Sequence, residues 1–190
     1  GLFVFLLTAC NKTKTENLPS ILIKTQPEIT SPYTVTALQQ RSYGGGTLRR
    51  ITPYNKQDRL IYTGFKYPSD DLIIYGRALF PEGEGPFPII IVIHGLVPED
   101  KYISLEEKID DFDNLAKDGY LIIYPNMRNF LPSDTGDDRY RVGMTIDILN
   151  LIEIIKTQAG SPGILEKANP DQIGIWGRSM GGEVTLRALT

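Results

Sequence analysis

The sequence predicts an α/β fold in which a mostly parallel sheet is flanked by helices. Two segments, 89–93 and 120–124, are unbroken apolar runs of the kind found in strands that are covered on both faces. Segments with helical spacing of apolar residues alternate with these runs, and a hairpin is predicted ahead of them. Strands that alternate with helices in this order build an α/β sheet with right-handed crossovers.

The elements follow one another without an internal repeat. β-branched and aromatic residues at 60–67 and 72–80, around a Pro/Asp turn at 68–71, indicate the opening hairpin. A Pro- and Gly-containing loop then leads to the first apolar strand. A plausible capping box, Ser104 with Glu107, and apolar spacing up to Gly119 predict a crossover helix before the second apolar strand.

The second half of the pattern repeats this alternation. After a polar loop at 126–139, a long helix is predicted from apolar residues at helical intervals, namely Met144, Ile148, Leu151, Ile152 and Ile155. The last strand is predicted at 172–176, and a helix begins near Met180. Residues 46–190 therefore form one predicted folded domain.

The composition excludes several classes of protein. The chain has 190 residues, 41% of them hydrophobic, which suits a globular protein of about one domain. Its 20 basic residues do not exceed its 23 acidic ones, so nothing indicates a nucleic-acid partner. Because Cys10 and His94 are the only residues of their types, we predict no internal disulfide, no metal site and no cofactor.

The amino-terminal run 2–9 is apolar but too short to span a bilayer. It is closed by Cys10, and segment 7–10, Leu-Thr-Ala-Cys, resembles the lipobox of bacterial lipoproteins. That resemblance implies that residues 1–10 are the remnant of a signal peptide. Cys10 would then carry the lipid that anchors the protein outside the cytoplasm on a bacterial membrane. The alternative is a chance apolar terminus with a free thiol.

Residues 11–45 are predicted to form a flexible tether. The segment is rich in Thr, Asn, Pro, Ser and Gln, a composition that buries too little apolar surface to offset the entropy lost on ordering. Two short pieces, 21–23 and 33–35, could instead add strands to the folded domain.

Segment 177–182 contains the candidate catalytic motif. It reads Gly-Arg-Ser-Met-Gly-Gly, follows the last predicted strand and opens the last helix, which is the context of the G-x-S-x-G nucleophile elbow. Glycines two residues from Ser179 allow strand and helix to approach closely, while the serine takes a strained backbone at the turn. Helix-start amides behind the serine favour negative charge on a tetrahedral oxyanion.

The elbow, together with the order of elements from residue 60 onward, resembles the α/β-hydrolase superfamily, and the chain corresponds to a partial α/β-hydrolase fold. Within it, the chain is most similar to the catalytic domain of prolyl oligopeptidase-type serine peptidases and related esterases. This likeness rests on the opening hairpin with its Pro-flanked loop, the strand that runs into His94 and Gly95, segment 125–129 (Pro-Asn-Met-Arg-Asn) and the elbow.

The resemblance implies roles for individual residues. Ser179 would be the nucleophile, and the backbone N–H groups of Met180 and Leu96 would bind the oxyanion. Many relatives have a glycine and then a proline where this chain has Leu96, Val97 and Pro98, which is an apparent insertion of one residue. The elbow glycines are Gly177, Gly181 and Gly182.

His94 is a tempting general base for Ser179. In this fold the triad follows the order Ser, then Asp or Glu, then His, so His94 lies on the wrong side of the serine. We therefore expect His94 and Gly95 to orient the oxyanion loop. The alternative for Ser179 is an ordinary helix N-cap, since a serine hydroxyl accepts a hydrogen bond from a free helix amide.

Other charged residues have simpler explanations. A group of carboxylates in the polar loop could mark a cation site, but its spacing matches no EF-hand pattern and we expect a solvated loop: Asp134, Asp137 and Asp138. Arg128 lies just past the carboxyl end of a strand, where α/β proteins bind ligands. We expect it to form an ion pair within its loop. Asp147 and Glu153 are expected to face solvent from the long helix.

The sequence thus predicts a serine hydrolase that acts by acyl transfer on a peptide or a small ester. The prediction leans to a prolyl oligopeptidase-like peptidase; the alternatives are a carboxylesterase or dienelactone-hydrolase-like esterase, or a non-catalytic surface lipoprotein. The triad acid and histidine are expected beyond Thr190. The 190 residues alone are therefore expected to be inactive.

Overall fold

The computed structural model describes residues 31–98 and 112–190 of the chain. The strands of this part are β1 (Arg49–Arg50), β2 (Asn55–Gln57), β3 (Leu60–Ser69), β4 (Leu72–Pro81), β5 (Phe87–Ile93), β6 (Leu121–Pro125) and β7 (Ala168–Gly177). They form one sheet in the order β1-β3-β4-β6-β5-β7, with β2 also paired to β3. The pairs from β1 to β6 are antiparallel, whereas β5 runs parallel to both β6 and β7.

The helices are α1 (Val35–Gln40), α2 (Asp113–Lys117), α3 (Val142–Gln158) and α4 (Met180–Ala188), and a 3₁₀ turn (Arg139–Arg141) precedes α3. The predicted alternation of strands and helices after an opening hairpin is confirmed. The observed architecture is therefore a mixed sheet flanked by helices.

The parallel strands are buried because their apolar side chains project from both faces of the sheet into hydrophobic cores. Ile89, Ile91 and Ile93 of β5 belong to a core shared with α3 and α4. Val92, one residue out of phase, belongs to a second core with Phe112 and α2 on the other face. Side chains that alternate between two covered faces explain why these strands read as unbroken apolar runs.

The structure differs from two of the sequence predictions near the start of the domain. The opening hairpin turns at Asp70 and Asp71 only, since Pro68 and Ser69 still pair with β4, and Asp70 takes the left-handed conformation with φ 53°. The possible strand at 33–35 is instead the start of α1, because the Thr34 side chain accepts a hydrogen bond from the Ala37 N–H at 3.2 Å and caps a helix.

Other predictions fall outside the described residues. Cys10 and segment 21–23 precede residue 31, and Ser104 and Glu107 lie between the two described ranges. Of the predicted crossover helix, the last turn is described as α2, which stops before Gly119 at φ 100°. Across residues 31–98 and 112–190, every helix is too short or too polar to cross a membrane.

Candidate active site

Three strands end at one edge of the sheet. Ile91 of β5 pairs with Ile123 of β6, and Ile93 of β5 pairs with Gly177 of β7, so the parallel strands finish side by side. The loops that follow them are therefore neighbours, and this edge is where α/β proteins place ligands. Each loop carries residues that the sequence singled out.

Ser179 occupies the turn between β7 and α4. Its backbone has φ 56° and ψ −122°, a conformation that non-glycine residues rarely adopt. The side chain is exposed, and it makes no capping hydrogen bond to α4. An ordinary N-cap has extended backbone and a side chain bonded to the helix, so Ser179 has neither feature of that alternative.

The glycines around Ser179 permit close backbone contacts. A Cβ on Gly177 would lie 2.2 Å from the Gly181 carbonyl oxygen, and a Cβ on Gly181 would lie 2.1 Å from the oxygen of Ile93. No side chain fits at either position. At Gly182 the nearest atom to such a Cβ would be 3.5 Å away, an ordinary contact. Two of the three predicted elbow glycines are therefore sterically required.

Two stretches of backbone adjoin the serine, namely the start of α4 and the loop after β5. Met180 is the first residue of α4, where an N–H has no acceptor one turn earlier in the helix. Leu96 lies in the loop after β5 and its side chain is 64% exposed. Its neighbour Gly95 touches the elbow, because a Cβ on Gly95 would be 3.3 Å from the Arg178 oxygen and 3.5 Å from the Ser179 Cβ. The loop after β5 thus packs against the serine turn.

His94 is buried behind this loop. Its Nδ1 lies 2.7 Å from the Gly95 carbonyl oxygen, and its Nε2 lies 2.8 Å from the Asn126 carbonyl oxygen. The Phe130 ring meets the imidazole edge-on at 4.7 Å between centroids. Both ring nitrogens therefore face backbone oxygens of the loops after β5 and β6.

Arg128 and Asp147 form a buried ion pair that the sequence reading missed. Asp147 is fully buried rather than solvent-facing, and the partner of Arg128 lies on α3 rather than within its own loop. Guanidinium and carboxylate meet through Nη2 and Oδ1 at 2.8 Å, with Nε within 3.2 Å of both carboxylate oxygens. A signal existed in the sequence, because Asp147 shares the helix face of Met144 and Leu151.

Burial acts on both members of this pair. It lowers the pKa of Arg128, but the hydrogen bonds and charge of Asp147 outweigh that effect and hold the pKa above its ordinary value. Burial also raises the pKa of Asp147, against the opposing hydrogen bonds and charge of Arg128. Several donors converge on the Asp147 carboxylate and stabilise its ionised form, so Arg128 and Asp147 form a charged pair.

The carboxylates of the polar loop point to separate partners. Asp134 accepts a hydrogen bond from the Ile73 N–H at 2.7 Å. Asp138 accepts one from the Met144 N–H at 2.9 Å, which caps the start of α3. Asp137 pairs with Arg139 at 2.8 Å. In the described part of the chain, no group of three or more His, Cys, Asp or Glu side chains is arranged to hold a metal ion.

A cavity lies at the opposite edge of the sheet. It measures about 600 Å³ and is lined by apolar residues at the end of β4 and the start of β5, including Phe80 and Phe87, with Ile164 across from them. Because β5 and β7 begin there and end at Ser179, this cavity is separated from the elbow by the length of β5. We do not assign the chemistry to it.

Comparison with known proteins identifies the fold. The sequence profile of a family described as alpha/beta hydrolase fold matches residues 88–190. No curated protein sequence matches the chain.

Solved structures of esterases are similar to the chain at low identity. Acetyl xylan esterase 1 from Thermoanaerobacterium sp. JW/SL YS485 is 17% identical with a TM-score of 0.57, and the match covers 76% of this chain and 48% of that one. The acetyl xylan esterase from Paenibacillus sp. R4 is 16% identical with a TM-score of 0.58, covering 81% and 52%. The esterase Est22 is 20% identical with a TM-score of 0.53, covering 69% and 38%. The chain therefore spans about half, or less, of the length of these structures.

Proposed function

The chain belongs to the α/β-hydrolase fold family, and we propose that within it the protein is a serine hydrolase whose nucleophile is Ser179. The observation that carries the proposal is the backbone of Ser179. An exposed serine with φ 56° at a strand-to-helix turn, with no capping bond to the helix, holds a strained conformation that an N-cap role does not require.

The reaction proposed is acyl transfer. The Ser179 hydroxyl attacks a carbonyl carbon, the carbonyl oxygen becomes an oxyanion, and the leaving group departs to give an acyl-enzyme that water hydrolyses. The Met180 N–H at the start of α4 is the proposed first oxyanion donor, since a helix amino terminus favours negative charge. The Leu96 N–H is the proposed second donor, because its loop packs against the elbow through Gly95.

The general base is proposed to come from residues other than these 190. Serine needs a proton acceptor, and general-base help contributes roughly 10²–10⁴-fold. His94 is the only histidine of the sequence, and its two nitrogens lie within hydrogen-bond distance of backbone oxygens on two loops. A ring held in this way suits an orienting role in the oxyanion loop better than proton exchange with Ser179.

A fluorophosphonate probe tests the nucleophile directly. We expect the full-length protein to be labelled covalently and the Ser179→Ala variant to lose the label while it unfolds at the same temperature or higher. Ser161 offers a matched control, because it is an exposed serine outside the elbow, in the turn after α3. Ser161→Ala should retain the label. Persistent labelling of Ser179→Ala would refute the assignment.

An ester is the favoured substrate class. The support comes from the similar structures, which are acetyl xylan esterases and another esterase. The competing proposal is a peptidase, which the likeness of segment 125–129 to prolyl oligopeptidase-type domains favours. Turnover of an acetyl ester and of a peptide amide by the full-length protein distinguishes them. We expect kcat/KM for the ester to exceed that for the amide by more than a hundredfold. An amide value within tenfold of the ester value would favour the peptidase.

We further propose that Cys10 is lipidated and anchors the protein outside the cytoplasm at a bacterial membrane. The support is the sequence Leu-Thr-Ala-Cys at 7–10 after an apolar run. Metabolic labelling with a radioactive fatty acid should mark the full-length protein in bacterial cells and should not mark Cys10→Ala. Equal incorporation in both would exclude the anchor.

A further inference from the structure

We propose that the buried Arg128–Asp147 ion pair positions the oxyanion loop, acting on it through the loop after β6 and His94. The inference rests on the proposed function, since it concerns the efficiency of acylation at Ser179. In these terms Arg128 and Asp147 are positioning residues, because neither reaches the reacting atoms itself.

Burial and several hydrogen bonds fix the geometry of the ion pair. The Asp147 side chain is fully buried and that of Arg128 is 6% exposed. Besides the guanidinium, the Arg128 backbone N–H donates to Asp147 Oδ2 at 2.9 Å, and the Ser69 hydroxyl donates to Oδ1 at 2.5 Å. The carboxylate therefore fixes the main chain of the loop as well as its side chain, and it ties both to α3 and β3.

The loop that the pair holds is strained. Met127 and Asn129, on either side of Arg128, have φ of 59° and 69°, the left-handed region that side chains disfavour. Such conformations persist when the surroundings over-determine them. The third guanidinium nitrogen, Nη1, donates to the Asp137 carbonyl oxygen at 2.9 Å and fastens the far end of the same loop. Loss of the Asp147 charge removes the main restraint on this conformation.

The held loop contacts the oxyanion loop at His94. Asn126 begins the loop and offers its carbonyl oxygen to His94 Nε2 at 2.8 Å, and Phe130 packs its ring against the same imidazole. His94 in turn contacts the Gly95 carbonyl oxygen through Nδ1. Because Gly95 packs on Ser179, a shift of the loop after β6 would reach the proposed donor at Leu96 through His94 and Gly95.

A purely structural ion pair is the rival explanation, and it predicts a loss of stability alone. The experiment measures the rate of fluorophosphonate labelling per folded molecule of full-length protein, together with kcat and KM for an ester. We expect Asp147→Asn to slow labelling at least tenfold and to lower kcat by a similar factor, with KM within about twofold, as for an interaction made in the transition state.

The matched control is Tyr62→Phe. It removes another buried hydrogen bond, from the Tyr62 hydroxyl to Asp113 Oδ1 at 2.9 Å, in the second core under α2. This variant should lose stability and keep the labelling rate of the parent. Asp147→Asn that loses stability but labels at the parent rate would overturn the inference, whereas failure of the parent to label at Ser179 would overturn the proposed function instead.

Two further variants test the route. If Asp147 acts through His94, then Asp147→Asn should slow labelling little more in a His94→Ala background, so the two effects are not multiplicative. Fully multiplicative effects would contradict the route. Should Asp147→Asn not fold, Phe130→Leu removes the ring contact on His94 and leaves the ion pair intact. It should slow labelling at least threefold, and an unchanged rate would refute the inference.

Discussion

Replacement of Gly181 by alanine should disable the elbow, whereas the same change at the adjacent Gly182 should not. The new Cβ at 181 would lie 2.1 Å from the Ile93 oxygen and 2.7 Å from the His94 oxygen. Both obstacles are backbone at the end of β5, so neither can rotate away. Carbon–oxygen contact at normal distance requires α4 and the end of β5 to separate by about 1 Å.

That separation has two measurable consequences. Over-packing in a close-packed site costs about 1–3 kcal/mol of unfolding free energy. It also moves the oxyanion loop away from Ser179, and a misplacement of about 1 Å at a reacting centre typically costs on the order of 10²-fold in rate. We therefore expect Gly181→Ala to lose both stability and roughly 99% of its fluorophosphonate labelling rate.

Gly182→Ala is the internal control, because it makes the same substitution at the next residue of the same helix. The nearest atom to its Cβ is 3.5 Å away, and alanine is favoured over glycine in a helix by up to about 1 kcal/mol. Its stability should stay equal or rise, with labelling within twofold of the parent. Chemical unfolding and labelling kinetics on the full-length protein measure both quantities. The reasoning fails if Gly181→Ala labels at the parent rate, or if the two variants behave alike.

Three other outcomes are expected. Leu96→Pro removes the proposed N–H donor and should slow labelling about 10²–10³-fold, while Leu96→Ala, which keeps the N–H and trims an exposed side chain, should not; equal rates would exclude Leu96 as a donor. Ile148→Ala empties a fully buried site on α3 and should cost about 2–5 kcal/mol in chemical unfolding, a smaller loss meaning that the core refills. Hydrogen bonds from Arg139 and then Tyr33 hold the pKa of Asp137 below its ordinary range. A depressed folded-state pKa gives stability that is present above the unfolded pKa of about 4 and lost below it. The melting-temperature gap between parent and Asp137→Asn should therefore shrink on acidification, and a constant gap would contradict this.

The elements of the sheet could be predicted because their signals are local. An unbroken apolar run such as that of β5 reports burial on both faces without reference to any partner. The elbow is local in the same sense, since Gly177 and Gly181 are needed within a few residues of Ser179. Helix α1 was not predicted. Residues 33–35 are compatible with a strand, and the helix is favoured by one hydrogen bond, from the Ala37 N–H to the Thr34 side chain.

The ion pair behind the oxyanion loop could not be predicted with equal ease. Arg128 and Asp147 are 19 residues apart, and their contact depends on how α3 lies against the end of β3. A carboxylate within a helix is most often solvated, so composition favours the wrong answer. The apolar neighbours Met144 and Ile148 indicated that Asp147 lies on the buried face of α3. A charge on such an apolar face requires a partner of opposite sign.

At this edge of the sheet, residues with strained backbone lie next to fully buried residues. Ser179, Met127 and Asn129 all have positive φ, in loops that follow parallel strands. Buried residues lie next to each of these turns. Val184 of α4, after Ser179, is fully buried, and Asp147 is fully buried beneath the loop after β6 that contains Met127 and Asn129. Conformational strain persists only where such anchors outweigh it. Burial beneath these turns therefore holds Ser179 and the loops of the proposed oxyanion donors in place before any substrate binds.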